Sequence, residues 1–130
     1  MNIDYNELMD EAKEAVKNSY SPFSRFAVGA AVMASSGKIY RGCNVENSSF
    51  GLTICAERNA IFKAVSEGER EILAIAIFSP NTDSCYPCGA CRQVMYEFQT
   101  DAYEIDVITE NNELLEVKKL SYFLPNGFRI

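Results

Sequence analysis

The sequence predicts an α/β fold in which helices cover a β-sheet. Two observations lead to this prediction: strand-like and amphipathic helix-like segments alternate along the chain, and residues 72–78 form an unbroken apolar run. Alternation favours a layered sheet flanked by helices, and such a run is typical of a strand buried on both faces. With 130 residues and 48% hydrophobic composition, residues 1–130 are expected to form one domain with its own core.

The chain begins with a predicted helix and a hairpin. Residues 4–17 place their apolar side chains on one helical stripe, with charged residues opposite. Residues 26–33 are apolar and partly β-branched, which favours a strand. The turn signal Ser35-Ser36-Gly37 then predicts a hairpin, with the return strand at 38–43.

The middle of the chain alternates loops, helices and the buried strand. A polar segment at 44–52 is interpreted as a functional loop. Residues 56–66 form a strong helical pattern, and Gly68 is a suitable C-terminal cap. The remaining predicted elements are the strand 72–78, a helix at 89–98, strands at 103–109 and 114–117, and a last helical turn at 119–123.

The composition and charge of the chain argue against several classes of function. The formal net charge is -6, and an acidic surface repels phosphate backbones, so bulk nucleic-acid binding is not expected. Five cysteines, three of them in one short segment, do not suit paired disulfides. The acidic N-terminal stretch lacks the pattern of a secretory signal, and no apolar run approaches the roughly 18 residues of a membrane span. A cytoplasmic location is therefore expected, where clustered cysteines more often bind metal.

Two cysteine motifs carry the candidate chemistry. Thr53–Arg58 and Pro87–Arg92 each place cysteine at the start of a predicted helix. A helix N-terminus favours thiolate over thiol, and thiolate is the form that zinc binds. Cys55, Cys88 and Cys91 would supply three ligands and leave the fourth tetrahedral position for water, as in catalytic zinc sites.

The residues beside these cysteines suggest roles in the same site. Glu57 lies two residues beyond Cys55 and is a candidate to accept a proton from the water and later deliver it to the substrate. Three thiolates give the zinc site a formal charge of -1, which weakens the metal as a Lewis acid. We expect Arg58, Arg92 or both to donate a hydrogen bond to a ligand thiolate and so reduce this excess charge.

The pairing of C-A-E at 55–57 with P-C-x-x-C at 87–91 resembles the zinc nucleoside and nucleobase deaminases. The chain has no histidine, so it is similar to the three-cysteine form, the small homotetrameric cytidine deaminases. Further matching segments run through nearly the whole chain: 21–24, 26–31, 42–47 and Leu124-Pro125 with Phe128. Phe50 departs from the family pattern, because it stands where tyrosine is usual.

This resemblance implies a three-layer α/β/α sandwich with a mixed five-stranded sheet, and one Zn²⁺ per subunit. The implied reaction is attack of zinc-activated water on C4 of cytidine or 2′-deoxycytidine, with loss of ammonia, in pyrimidine salvage. Each site would be shared between subunits of a homotetramer, and no nucleic acid or membrane partner is expected. The implied metal ligands are Cys55, Cys88 and Cys91, the proton shuttle is Glu57, and the substrate contacts are Phe26, Asn44, Val45, Glu46, Ala56 and Phe128.

Other interpretations of the same residues remain open at this point. Cys85, Cys88 and Cys91 form a CxxCxxC run, which a fourth cysteine, Cys55 or Cys43, would close into a structural zinc site. The competing functions are deamination of an aminonucleoside antibiotic, editing of a polynucleotide, and a non-catalytic binding module stabilised by zinc. The acidic charge opposes polynucleotide editing.

Overall fold

A computed structural model describes residues 2–130 of the chain. Its helices are α1 (Tyr5–Ala15), α2 (Ala56–Ser66), α3 (Gly89–Glu97) and α4 (Leu120–Phe123). Its strands are β1 (Gly29–Ala34), β2 (Ile39–Cys43), β3 (Ile72–Phe78), β4 (Asp106–Asn111) and β5 (Leu114–Lys119). Short 3-10 turns occupy Val16–Asn18 and Phe50–Leu52.

The five strands form one mixed sheet in the order β2-β1-β3-β4-β5. The β1–β2 hairpin is antiparallel, and β1 also pairs antiparallel with β3. Strands β3 and β4 are parallel, and α3 lies in the connection between them. Strand β3 is central, and its residues 72–77 are buried, as the apolar run predicts.

Helices cover both faces of this sheet, which confirms the three-layer α/β/α prediction. On one face, α1 packs through Leu8, Met9 and Ala12 against small side chains that include Ala31 and Ala74. On the other face, a second cluster joins α2 and α3 to β1 and β3. The helices that begin with the candidate metal ligands therefore lie together on one face.

Two glycines allow the helices to approach the hairpin closely. A Cβ atom on Gly29 would lie 2.2 Å from the carbonyl oxygen of Ala12 in α1. On β2, a Cβ atom on Gly42 would lie 2.4 Å from the amide nitrogen of Ala60 and 2.6 Å from the carbonyl oxygen of Ala56. Because these neighbours are backbone atoms, Gly42 sets the distance between β2 and the helix that carries Glu57.

The main departure from the predicted elements is at β1, which begins at Gly29 rather than residue 26. The preceding residues are held by a side chain instead of a strand: the Asn44 amide accepts from the Val28 N–H at 2.9 Å and donates to the Phe26 carbonyl at 2.8 Å. Strand β4 likewise begins at Asp106 rather than 103, because the Ile105 N–H donates to the Gln99 side chain at 3.0 Å.

Helix boundaries agree more closely with the sequence patterns. Helix α2 spans the predicted residues, and Gly68 follows it with a positive φ of 106°, as a helix cap requires. Helix α1 is shorter than predicted, because its last residues tighten into the 3-10 turn Val16–Asn18. Among residues 2–130, no helix is both long and apolar enough to cross a bilayer.

We predict that Gly42→Ala destabilises the fold, because a methyl group forces β2 and α2 apart. The expected loss is about 1–3 kcal/mol or more in the free energy of unfolding, measured by urea denaturation of the zinc-loaded protein at one protein concentration. Gly51→Ala is the matched control, since its added Cβ meets no atom within 4 Å among residues 2–130, apart from its own neighbours in the chain. Equal urea midpoints for the two variants would contradict the role assigned to Gly42.

Candidate functional site

The starts of α2 and α3 bring three cysteine sulfurs together. Cys55 and Cys88 are the N-cap residues of these helices, and both have the extended backbone conformation usual for that position. Cys91 lies in the first turn of α3 and is buried. The helix starts predicted from the two cysteine motifs are therefore present, and they lie next to each other.

The spacing of the sulfurs fits a tetrahedral metal ion. The Sγ atoms of Cys55 and Cys88 are 3.7 Å apart, those of Cys88 and Cys91 are 3.5 Å apart, and all three lie within 4.8 Å of one another. Zinc–sulfur bonds of about 2.3 Å place two sulfurs of a tetrahedron roughly 3.8 Å apart. The three residues can thus serve as three ligands of one zinc ion with little movement.

Arg58 lies against one of these sulfurs. Its Nη2 is 3.4 Å from Cys55 Sγ, within hydrogen-bonding distance for sulfur, and its buried Nε has no partner within the described chain. The Cys91 thiol and the Arg58 guanidinium both donate toward Cys55 and lower the pKa of that thiol to about 5. The same contact with Cys55, together with burial, raises the pKa of Cys91. Arg58 is thus placed to offset negative charge on the Cys55 sulfur.

Arg92 occupies a different place from the one expected for a residue that contacts a thiolate. Its Nε donates to the Pro87 carbonyl at 2.7 Å, and its Nη1 donates to the Phe123 carbonyl at 2.9 Å. The guanidinium also lies 5.2 Å from the centre of the Phe123 ring. Arg92 thus fixes the backbone just before Cys88 and attaches α4 to the start of α3.

Glu57 projects from the first turn of α2 and is only 4% exposed. Burial, and then the negative charge of Cys55, raise the pKa of its carboxyl to about 7. No lysine or arginine forms a salt bridge with Glu57 within residues 2–130. A buried carboxyl without such a partner is costly for stability alone, so this position favours a chemical role.

Asn44 and Glu46 are both buried, and the segment 19–28 wraps around their side chains and hydrogen-bonds to them. The Glu46 carboxylate accepts from the Phe23 N–H at 2.9 Å, from the Ser24 N–H at 3.1 Å and from the Ser24 hydroxyl. The Ser24 hydroxyl is the largest cause that lowers the pKa of Glu46. Both side chains therefore already have partners in the chain, and any substrate contact uses their remaining hydrogen-bonding capacity.

Val45, which lies between Asn44 and Glu46, faces a different groove of the protein. Val45 exchanges two backbone hydrogen bonds of 3.0 Å with Ile54, the residue before Cys55. Its side chain lines a groove of about 340 Å³ with Arg41, Cys43 and Lys63. Because successive side chains of an extended segment point to opposite sides, the Val45 side chain points away from that of Glu46. The main chain of Val45, through its hydrogen bonds with Ile54, connects this segment to the loop that carries Cys55.

Glu46 lines a cleft of about 360 Å³ together with Phe23, Ser24, Phe50 and Thr53. This volume is in the range of small-molecule sites. The rings of Phe23 and Phe50 meet edge to face at 5.6 Å, and Phe50 needs no hydroxyl group for that contact. Thr53 lies two residues before Cys55, so the cleft adjoins the segment that carries the ligand.

The other predicted substrate contacts differ in exposure. Ala56 is fully buried at the first position of α2, where the helix leaves backbone N–H groups unpaired. Phe26 is partly exposed, and Phe128 is 68% exposed, which shows that Phe128 is not a core residue. The predicted substrate contacts did not include three residues that line the cleft, Phe23, Ser24 and Thr53, although only Arg25 separates the S-P-F-S segment from Phe26.

The remaining cysteines stand outside the sulfur cluster. Within residues 2–130, the cluster of candidate ligands contains Cys55, Cys88 and Cys91 but neither Cys43 nor Cys85. The geometry therefore favours an open three-ligand site over a closed four-cysteine site.

Comparison with known proteins agrees with this geometry. The family model for the cytidine and deoxycytidylate deaminase zinc-binding region matches residues 3–105. The chain is 42% identical over 126 residues to a cytidine deaminase of Sporosarcina psychrophila, covering 97% of this chain and 92% of that protein. It is 43% identical to one of Halalkalibacterium halodurans, covering 97% of this chain and 95% of that protein.

A solved structure supports the same relationship. The crystal structure of a cytidine deaminase from Burkholderia pseudomallei superposes with a TM-score of 0.89 at 40% identity, covering 97% of this chain and all of that one. The sulfur cluster, the sheet order and the sequence similarity over nearly the full length thus agree, and the chain belongs to the cytidine and deoxycytidylate deaminase family.

Proposed function

We propose that this protein is a zinc-dependent hydrolase that deaminates cytidine and 2′-deoxycytidine. One water is consumed, one ammonia is released, and the products are uridine and 2′-deoxyuridine. The 130 residues act as a single catalytic domain. The observation that carries the proposal is the group of three sulfurs at tetrahedral spacing, with a buried glutamate two residues from one of them.

The metal ligands are Cys55, Cys88 and Cys91. Bound zinc supplies a nucleophile at neutral pH, because it lowers the pKa of a water from 15.7 to about 7. Glu57 acts as the proton shuttle, since its carboxyl is buried and lies in the same helical turn that begins at a ligand. It takes one proton from the attacking water and delivers it to ring nitrogen N3, and it then moves the proton of the new C4 hydroxyl to the amino group, which leaves as ammonia.

The substrate is oriented by Glu46, which lines the cleft, and by residues close to Glu46 or to Cys55. Asn44 and Glu46 hydrogen-bond the ribose hydroxyls, and Val45 holds their segment beside the metal ligands through its main chain. Phe26 packs against the pyrimidine, and the backbone around Ala56 reads the base edge. Both nucleosides are accepted, because none of these contacts demands a 2′-hydroxyl group.

The functional unit is a homotetramer in which Phe128 of one subunit reaches the active site of another. Large exposed apolar side chains support an association of this kind, since they leave apolar surface that another subunit can cover. They include Phe50, Leu52, Tyr122 and Phe128. The biological role is pyrimidine salvage in the cytoplasm, without a nucleic-acid partner, and the net charge of -6 agrees with the last point.

Loss of cytidine absorbance, with no nucleic acid added, tests this function directly. We expect turnover of both nucleosides and one zinc per subunit by native mass spectrometry. Activity that requires a polynucleotide would contradict the proposal, and so would zinc-loaded protein that is inactive on both nucleosides.

We predict that Glu57→Gln retains zinc and fold but loses activity by about 10²–10⁴-fold, because proton transfer fails while the ligands are unchanged. The measurements are metal content and the rate of cytidine loss. Glu67→Gln is the matched control, since Glu67 caps the other end of the same helix and is exposed. Substantial residual activity in Glu57→Gln would assign the proton shuttle to another group.

We also predict that Arg58→Gln lowers turnover or zinc retention by about 10- to 100-fold, because the charge on Cys55 is no longer offset. Steady-state rates and the rate of zinc transfer to a chelator measure the two effects. Arg41→Gln, which breaks an exposed pair with Glu11, should change neither. Wild-type values for both quantities in Arg58→Gln would refute the role of Arg58.

A further inference from the structure

The C-terminal segment has no regular secondary structure after α4, yet it is attached to α3 by side chains. Gln93 Nε2 donates to the Phe128 carbonyl at 2.8 Å. Arg129 Nη1 donates to the Tyr96 carbonyl at 2.9 Å and to the Gln99 carbonyl at 2.7 Å. Hydrogen bonds thus hold the backbone at Phe128 and at the residue that follows it.

Packing against Tyr96 fixes the segment further. The guanidinium of Arg129 lies 5.0 Å from the centre of the Tyr96 ring. On the other side of Phe128, a Cβ atom on Gly127 would lie 3.0 Å from that ring, so the chain runs close to it. Arg129 also pairs with Asp101, but Asp101 is highly exposed, so this pair adds little.

The Phe128 ring itself is 68% exposed, although the residues on both sides of it are held. A mobile tail with an apolar ring loses conformational entropy when it inserts into a partner, whereas a tail that is already fixed loses less. The contacts of Gln93 and Arg129 are therefore suited to present this ring in one orientation.

Helix α3 connects this segment to the metal centre. Its N-cap and first turn supply Cys88 and Cys91, and the carbonyls near its C-terminal end accept from Arg129. A helix of nine residues is about 13 Å long and rigid on this scale. The position of the Phe128 backbone is thus fixed relative to the ligands of its own subunit.

We propose that Arg129 and Gln93 are positioning residues that hold Phe128 ready to enter the active-site cleft of a second copy of this chain. The inference rests on the proposed function, which places Phe128 at a neighbouring site. The occupied surface is the cleft lined by Phe23 and Phe50, whose exposed aromatic rings suit contact with another ring. Loss of Arg129 loosens the tail and weakens substrate binding, and the chemical step is unaffected.

The first test measures tail mobility independently of activity. The chain has no tryptophan, so Phe128→Trp introduces a single probe. Time-resolved anisotropy should show a restricted side chain, and adding Arg129→Ala should introduce a fast local motion. Arg70→Ala is the matched control, because Arg70 also donates to two carbonyls at a helix end, those of Val65 and Glu69. An unchanged anisotropy decay in the Arg129→Ala variant would overturn the proposal.

The second test separates positioning from a general loss of stability. In the tetramer, we expect Arg129→Ala to raise KM for cytidine by about 2- to 10-fold, with kcat within about twofold of wild type. Arg70→Ala should leave both constants unchanged. Because Arg129 acts through Phe128, adding Arg129→Ala to Phe128→Ala should raise KM no further.

The outcomes distinguish this inference from the proposed function. Additive effects of the two substitutions, or a wild-type KM in Arg129→Ala, would overturn the positioning role while cytidine deamination stands. A wild-type KM in Phe128→Ala would show that Phe128 does not contribute to substrate binding, and it would overturn the inference as well. A wild-type protein without deaminase activity would instead refute the proposed function, and the anisotropy measurement would still decide whether Arg129 restrains the tail.

Discussion

The spacing of three sulfur atoms at two helix starts is the constraint on which the rest of the structure depends. Cys55 and Cys88 are N-cap residues, so each sulfur lies at the helix N-terminus, which carries a partial positive charge. The positive ends of α2 and α3 and the guanidinium of Arg58 together oppose the repulsion that three thiolates would otherwise suffer. A metal ion at this point completes the balance of charge, so the two helices, the arginine and the ion form one electrostatic unit.

The sheet holds this unit in place through close backbone packing. Gly42 brings β2 against α2, and β1 and β3 present small or β-branched side chains to both helices. Helix α3 has several tasks at once: it supplies two ligands, its Arg92 attaches α4, and its far end receives the C-terminal tail. Changes at the tail and at the metal centre are therefore connected through one rigid element.

Much of this arrangement could be predicted from the sequence, because it depends on local patterns. The buried strand β3, helix α2 and the helix starts at both cysteine motifs follow from apolar runs and helix periodicity. The start of β1 could not be predicted, because the distant Asn44 side chain replaces ladder hydrogen bonds there. A hydrogen bond from one of the two arginines to a ligand sulfur was predicted, and Arg58 makes it, but the sequence does not show which arginine it is. Each follows a cysteine at helical spacing, but a carbonyl of the distant Phe123 holds Arg92 away from the sulfurs. The opposite directions of Val45 and Glu46, in contrast, follow from the alternation of an extended segment.

The central claim is that one metal ion is held by three sulfurs and keeps an open position beside Glu57. X-ray absorption spectroscopy at the zinc edge of the purified protein measures this coordination directly. The account predicts three sulfur atoms at about 2.3 Å and one lighter atom, oxygen, at about 2.0–2.2 Å. Four sulfur ligands, or an active protein that contains no metal, would contradict it.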